Sequence, residues 1–172
     1  MATVARITTQ ADFLTFLNRD ATRLDSDSDE DTYSRITANL VIAAEDIDDA
    51  RHAVSVNHTS SALNNMEEAM MICGEAIALA HGYKLLGSEA GFHARAIECL
   101  VIYTEAYQPD LGIYARRFQA LRTTRNAMKY DRTPPGEGQL KQYLAAAEAF
   151  YAMFKGLPHQ VLAARRANEH RA

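Results

Sequence analysis

Hydrophobic residues recur every three or four positions through most of the chain, the spacing that gives an α-helix one buried face. No stretch longer than a few residues alternates as a half-buried strand would, and no internal repeat is present. The pattern predicts five long helices, at residues 32–56, 60–81, 92–107, 110–131 and 139–156. We therefore expect an all-α fold without a sheet, an antiparallel bundle of four to five long helices with short connections.

The two ends of the chain predict shorter helices beside the main bundle. Residues 9–24 place Phe13, Phe16 and Leu17 on one face, which predicts a short N-terminal helix that packs either on the bundle or on a partner. A basic tail helix is predicted after Pro158. The chain accordingly divides into an N-terminal helix with an acidic loop (1–31), the bundle (32–156) and the C-terminal tail (157–172).

Composition narrows the class of protein without naming a chemistry. A chain of 172 residues, 48% hydrophobic and 23% charged, has the size and balance of one globular domain. It holds no apolar run long enough for a membrane span and starts without a secretory leader, so we expect a cytoplasmic protein. Cys73 and Cys99 stand among apolar residues and are predicted to be buried thiols. No metal-ligand spacing appears, and no metal or cofactor is expected.

Charge is unevenly distributed along the chain, although the net charge is only −4. Residues 25–31 read Asp-Ser-Asp-Ser-Asp-Glu-Asp, which we interpret as a solvated loop leading into a helix. A calcium loop is excluded because its glycine and its distant glutamate are missing. Late in the chain a basic stripe is opposed only by Asp131. Its members are Arg116, Arg117, Arg122, Arg125, Lys129 and Arg132.

Arg125 is the anomaly in the helical pattern, because its spacing from Leu121 and Met128 assigns it to the apolar stripe. A buried guanidinium is costly unless its hydrogen bonds are met, so it needs a carboxylate, a subunit interface or a cleft. The structural hypothesis pairs Arg125 with a carboxylate of another helix, for which the candidates are Glu67, Glu75 and Glu98. The functional hypothesis places it in a phosphate-binding cleft. In that hypothesis Arg122 and Lys129 share its helix face, and Arg132 lies one turn further on.

Residues 121–131, reading Leu-Arg-Thr-Thr-Arg-Asn-Ala-Met-Lys-Tyr-Asp, resemble the signature helix of the HEPN superfamily (higher eukaryote and prokaryote nucleotide-binding). Residues 76–83 and 91–95 are similar to its second helix, loop and third helix, and the resemblance spans roughly residues 33–154. It implies a HEPN-like helical bundle that forms a homodimer and binds RNA, a nucleotide or a protein partner. The family's usual contexts imply toxin–antitoxin, phage-defence or stress systems, often with a nucleotidyltransferase as the partner.

The resemblance also implies a catalytic pattern that this chain only partly matches. Members that cut RNA without a metal carry an Arg, often a following polar residue, and a His little more than one turn later. Arg125 and Asn126 match, whereas Tyr130 stands where the His belongs. A tyrosine with an ordinary pKa near 10 is a poor general base at neutral pH, so we expect nuclease activity to be lost. His93, on the preceding helix, could supply the missing imidazole in space, although a lone His on a helix face is more often a packing residue.

The sequence therefore leaves three hypotheses open. The first is a HEPN-like dimer that binds RNA, a nucleotide or a partner through the Arg125 face without cutting RNA. The second is an active, metal-independent endoribonuclease that uses Arg125, Asn126 and Tyr130, either without or with His93. The third is a structural or adaptor dimer in which Arg125 is an interface ion-pair partner.

Overall fold

The computed structural model describes residues 9–24, 29–87 and 89–169, and most of these residues are helical. The elements in chain order are α1 (Gln10–Asp20), β1 (Ala21–Arg23), α2 (Asp29–Ser55), α3 (Thr59–Ala80), β2 (Tyr83–Leu85), α4 (Glu89–Tyr107), α5 (Pro109–Asn126), a π-helical turn (Ala127–Asp131), α6 (Glu137–Phe154) and α7 (Leu157–Glu169). The predicted all-α helical bundle is confirmed. Each of the five predicted long helices corresponds to one of α2, α3, α4, α5 with its π turn, and α6.

Helix α3 lies at the centre of the bundle and packs against α2, α4, α5, α6 and α7. It buries side chains around most of its circumference, as a helix covered on several sides must. Gly74 permits the closest approach, because a Cβ added there would lie 1.9 Å from the backbone oxygen of Ala96 on α4. The glycine therefore sets the distance between α3 and α4.

The N-terminal helix packs on its own bundle, which settles the alternative that its sequence left open. Thr9 caps α1 in a capping box with Asp12, and Phe13, Phe16 and Leu17 are buried against the rest of the chain. Phe13 makes edge-on ring contacts with three aromatic side chains, which belong to His81, Tyr103 and Tyr107. The surface that suggested a partner is thus covered by the chain itself.

A two-stranded antiparallel ladder joins the ends of α1 and α3, so the prediction that the fold contains no sheet was wrong in this detail. Strand β1 pairs with β2 so that Ala21 lies opposite Leu85 and Arg23 opposite Tyr83. Three-residue strands are too short to show an alternating pattern, and their pairing joins segments far apart in the sequence. The helical pattern could not reveal it.

The tail helix and the cysteines agree with their predictions. Helix α7 packs against α3, with Pro158 and Leu162 buried. Cys73 and Cys99 are both free and buried, and burial raises the pKa of each thiol far above its ordinary value. Residues 25–28 of the predicted acidic loop lie outside the described residues, while residues 29–31 form the first turn of α2.

Among the described helices, none combines the length and the apolar content that crossing a membrane requires.

Candidate functional site

Helix α5 changes its winding just after the residues that the sequence singled out. The α-helical part begins with Pro109 and ends at Asn126, after which residues 127–131 form a π turn. The turn ends at Arg132, which adopts a left-handed conformation with φ 55°. A π turn contains more residues than an α turn, and within this one Lys129 and Tyr130 are exposed.

Arg125 is held by two residues of α3. Its Nη1 lies 3.0 Å from Oε2 of Glu67, and its Nε donates a hydrogen bond of 2.6 Å to Oδ1 of Asn64. The Arg125 side chain remains 29% exposed, whereas that of Glu67 is 3% exposed. The structure thus realises the carboxylate pairing with Glu67, the first of the three candidates. Glu98, another candidate, lies 3.8 Å from Arg19 instead.

The contact between Arg125 and Glu67 is electrostatic rather than a well-aligned hydrogen bond. Oε2 of Glu67 is buried and accepts no hydrogen bond, although the guanidinium nitrogen is within 3.0 Å. Among the described residues, no hydrogen bond engages Nη2 of Arg125. The pairing therefore orients the guanidinium and leaves one of its amino groups available to a ligand.

A cleft of about 330 Å³ opens beside this pair, and we call it the central cleft. All four candidate catalytic residues line it, although they come from α4, α5 and the π turn. The lining residues are Glu67, His93, Arg122, Arg125, Asn126, Lys129 and Tyr130. Arg132, the remaining candidate for phosphate binding, is not among them and is exposed.

Two further clefts adjoin the central cleft and share side chains with it. On the α3 side, a cleft of about 310 Å³ is lined by Ser60, Leu63, Asn64, Arg125, Met128 and Lys129. On the α4 side, a cleft of about 410 Å³ is lined by Ala94, Ile97, Glu98, Gln119, Arg122, Thr123 and Asn126. Arg125 and Lys129 separate the first from the central cleft, and Arg122 and Asn126 separate the second. The three clefts lie side by side along α5 and the π turn, and together they are here called the α5 groove.

Positive charge dominates the central cleft. Three cationic side chains, those of Arg122, Arg125 and Lys129, face a single carboxylate, that of Glu67. Glu67 is buried behind Arg125, while the Lys129 side chain is exposed. A ligand entering from solvent therefore meets the cations first, which favours an anion such as a phosphate.

Comparisons with known proteins do not assign a function to this site. No protein-family model, curated protein or solved structure matches this chain.

Sequence reasoning missed the residues that hold Arg125 and α5 in place. Asn64 was not singled out, although its spacing from Glu67 puts both on one face of α3. The second omission lies between α5 and α6, where Thr124 Oγ1 lies 2.9 Å from the hydroxyl of Tyr143. That hydroxyl also accepts a hydrogen bond of 3.0 Å from Nε2 of Gln139. This network fastens α5 to α6 at the position just before Arg125.

Two features that the sequence offered to a partner or a subunit interface both engage the chain itself. The N-terminal helix covers α4, and Arg125 pairs with Glu67 of the same chain. The homodimer therefore stays a prediction, and these two surfaces no longer support it.

Proposed function

We propose that the α5 groove binds RNA through its phosphodiester backbone, and that the protein cleaves RNA weakly or not at all. The observation that carries the proposal is the convergence of Arg122, Arg125 and Lys129 on one cleft, with Nη2 of Arg125 available. Guanidinium and ammonium groups bind phosphate oxygens through charge-assisted hydrogen bonds. A groove that continues on both sides of the cations suits an extended strand better than a single mononucleotide.

The proposal of binding without cleavage is supported by the residue that stands where the catalytic base is expected. Cleavage of RNA without a metal needs a base that takes the proton of a 2′-hydroxyl near neutral pH. Tyr130, at the position of the expected His, is largely exposed, and a tyrosine is an ordinary acid far from neutrality rather than a base suited to this step. His93 lines the same cleft, so it is the residue through which the enzymatic hypothesis would have to act.

The wider proposal keeps the resemblance of residues 121–131 to the HEPN superfamily. It includes a homodimer, a toxin–antitoxin, defence or stress context, and a protein partner such as a nucleotidyltransferase. What supports it is the helical bundle together with the meeting of His93, Arg125 and Asn126 in one cleft. Arg125 and Asn126 belong to the matched motif, whereas His93 comes from a separate helix.

The structural hypothesis has its own supporting observation, the pairing of Arg125 with buried Glu67. In that case Arg125 stabilises the bundle, and the cations around it are simply solvated. The two hypotheses differ in what Arg122 and Lys129 do, because neither contributes to that pairing.

The test compares two double variants that lose the same amount of charge. Arg122→Ala with Lys129→Ala removes two cations of the α5 groove, whereas Lys84→Ala with Lys155→Ala removes two exposed cations elsewhere. Affinity for a fluorescent RNA oligonucleotide is measured by anisotropy over a series of salt concentrations. Each phosphate contact contributes about 0.7 to the slope of log affinity against log salt, so the groove variant should lose about 1.4 from the slope.

The control pair should leave both the slope and the affinity close to those of the unchanged protein. Equal losses in the two variants would reduce the binding to a general effect of net charge and contradict the proposal. Rapid RNA cleavage that disappears in His93→Ala or Tyr130→Phe would contradict the second part of it, and would favour the endoribonuclease.

A further inference from the structure

Tyr130 is the most exposed large hydrophobic side chain in the part of the chain that the structure describes, with 71% of its surface accessible. It stands on the π turn and lines the central cleft beside Arg122, Arg125 and Lys129. Leaving an aromatic ring in water forgoes the free energy that its burial would contribute. The position therefore needs an explanation other than packing.

We infer that Tyr130 is a stacking platform for one unpaired base of the RNA, so that the α5 groove selects single strands over duplexes. The inference rests on the proposed function, because it requires that the neighbouring cations hold a phosphate. The resemblance implied a catalytic role at this position, whereas the inference gives Tyr130 a role in binding.

The surroundings of the ring fit this use. Lys129 Nζ lies 5.4 Å from the ring centroid, so the cation nearest to the ring is also one of the phosphate-binding candidates. A base stacked on the ring would therefore have its backbone phosphate close to the cations of the cleft. Exposed aromatic rings beside a basic groove are the usual means by which proteins bind single strands with little sequence preference.

Other tyrosines of the chain show what a structural tyrosine looks like here. Tyr151 donates its hydroxyl hydrogen to the backbone oxygen of Leu40 at 2.6 Å, and Tyr143 is buried within the network that reaches Thr124. The hydroxyl of Tyr130 makes no hydrogen bond to a described residue. Its ring, rather than its hydroxyl, is the group that the structure offers.

A duplex cannot use such a platform, because its bases are already stacked within the helix and paired with each other. An unpaired base has two free faces and loses less on transfer to an aromatic ring. Selection for single strands thus follows from one exposed ring, without any hydrogen bond to a base edge.

The experiment uses the full chain and measures binding of one RNA sequence in three forms. These are the single strand, the same strand paired with its complement, and a strand with abasic positions that keeps the phosphates. The variants are Tyr130→Ala, which removes the ring, and Tyr130→Phe, which keeps it. Tyr33→Ala is the control, because Tyr33 is an exposed tyrosine on α2, away from the groove.

We expect Tyr130→Ala to weaken single-strand binding between about 5-fold and 150-fold, the range measured for losing one stacked base. Tyr130→Phe and Tyr33→Ala should bind like the unchanged protein. The abasic strand should bind the unchanged protein and Tyr130→Ala equally. A 2-aminopurine base in the single strand should be quenched by the unchanged protein and by Tyr130→Phe, but not by Tyr130→Ala.

The outcomes separate this inference from the function on which it rests. If RNA binds with a salt dependence that needs Arg122 and Lys129, yet Tyr130→Ala binds like the unchanged protein, the stacking platform is wrong and the proposed function stands. Equal affinity for single strand and duplex would also overturn it. If no form of RNA binds at low salt, both fail. If Tyr130→Ala changes the mass of the assembly in solution but not the RNA affinity, Tyr130 contacts another protein chain and the stacking platform is wrong.

Discussion

Arg125 of α5 and Glu67 of α3 form an ion pair with 3.0 Å between Nη1 and Oε2, in which the carboxylate is almost completely buried. The two partners are not equivalent, since the guanidinium still reaches solvent and the carboxylate does not. Removing the cation would leave a negative charge in the bundle without compensation, whereas removing the carboxylate would leave a cation that water can reach.

This asymmetry predicts the result of a double-mutant cycle. Arg125→Ala should lower the free energy of unfolding by about 3 kcal/mol, because it isolates the charge of Glu67. Glu67→Gln should cost less, and the two changes together should cost less than Arg125→Ala alone. Chemical denaturation of the four proteins measures these differences. Additive losses would show that the two side chains do not interact in the folded protein.

The cycle also decides how Arg125 can be tested for binding. Arg125→Ala combined with Glu67→Gln removes the guanidinium while relieving the buried charge. Its RNA affinity can therefore be measured on folded protein and compared with that of Glu67→Gln alone, which keeps Arg125.

Two glycines should respond to alanine with opposite signs. Gly74→Ala would drive a Cβ against the backbone oxygen of Ala96, and we expect it to destabilise the protein by about 3 kcal/mol or more. Gly138→Ala, in the first turn of α6, meets no atom within 4 Å and should stabilise the protein by about 0.5 to 1 kcal/mol. Thermal unfolding of both variants checks the pair. A tolerated alanine at position 74 would mean that α3 and α4 can move apart at little cost.

His81 should make the protein less stable as the pH falls. Burial, with a smaller contribution from Arg165 of α7, lowers the pKa of His81 from 6.5 to about 4. Its ring is enclosed by Phe13, Tyr103 and Tyr107. Between pH 6.5 and about pH 4, His81 is protonated in the unfolded chain but stays neutral in the folded protein. Stability that is present above pH 6.5 is therefore lost progressively down to about pH 4, by at most about 3 kcal/mol.

The contribution of His81 is isolated by comparing two pH profiles of the free energy of unfolding. His81→Phe keeps an aromatic ring at this position and cannot bind the proton. The difference between the two profiles should be constant above pH 7 and should change in favour of the variant as the pH falls. A constant difference down to pH 4 would mean that the folded protein accepts the proton readily.

Asp46 of α2 should make the protein less stable as the pH rises, which is opposite to the effect of His81. Burial, together with the nearby carboxylates of Glu68, Asp49 and Glu45, raises the pKa of Asp46 from 3.8 to about 6. Its Oδ2 is buried without a hydrogen-bond partner among the described residues. The folded protein prefers the protonated form, so stability is present below pH 3.8 and is lost as the pH rises through 6.

Asp46→Asn should therefore raise the melting temperature at pH 7.5 and leave it nearly unchanged at pH 4. Asp48→Asn is the matched control, because Asp48 is exposed and paired with Arg51, so the variant should gain nothing at either pH. A melting temperature that does not rise in Asp46→Asn at pH 7.5 would show that the charge of Asp46 is solvated.

The helical spacing of apolar residues determined the class of the fold, the order of the long helices and the burial of residues such as Phe13 and Cys73. These properties are local, because whether one face of a helix is apolar depends only on residues a turn or two apart. The same spacing marked Arg125 as a cation on an apolar stripe, and it placed Arg122 and Lys129 on the same face.

Only the tertiary structure decided what surrounds those cations. Which carboxylate meets Arg125 depends on the rotation and axial position of α3 against α5, and no local pattern specifies these. The pairing of β1 with β2 joins distant segments whose individual preference for a strand is weak. The meeting of His93 with Arg125 likewise requires α4 to pack beside both. Helices are encoded by neighbours in the sequence, whereas a site built between helices is encoded by the whole core that orients them.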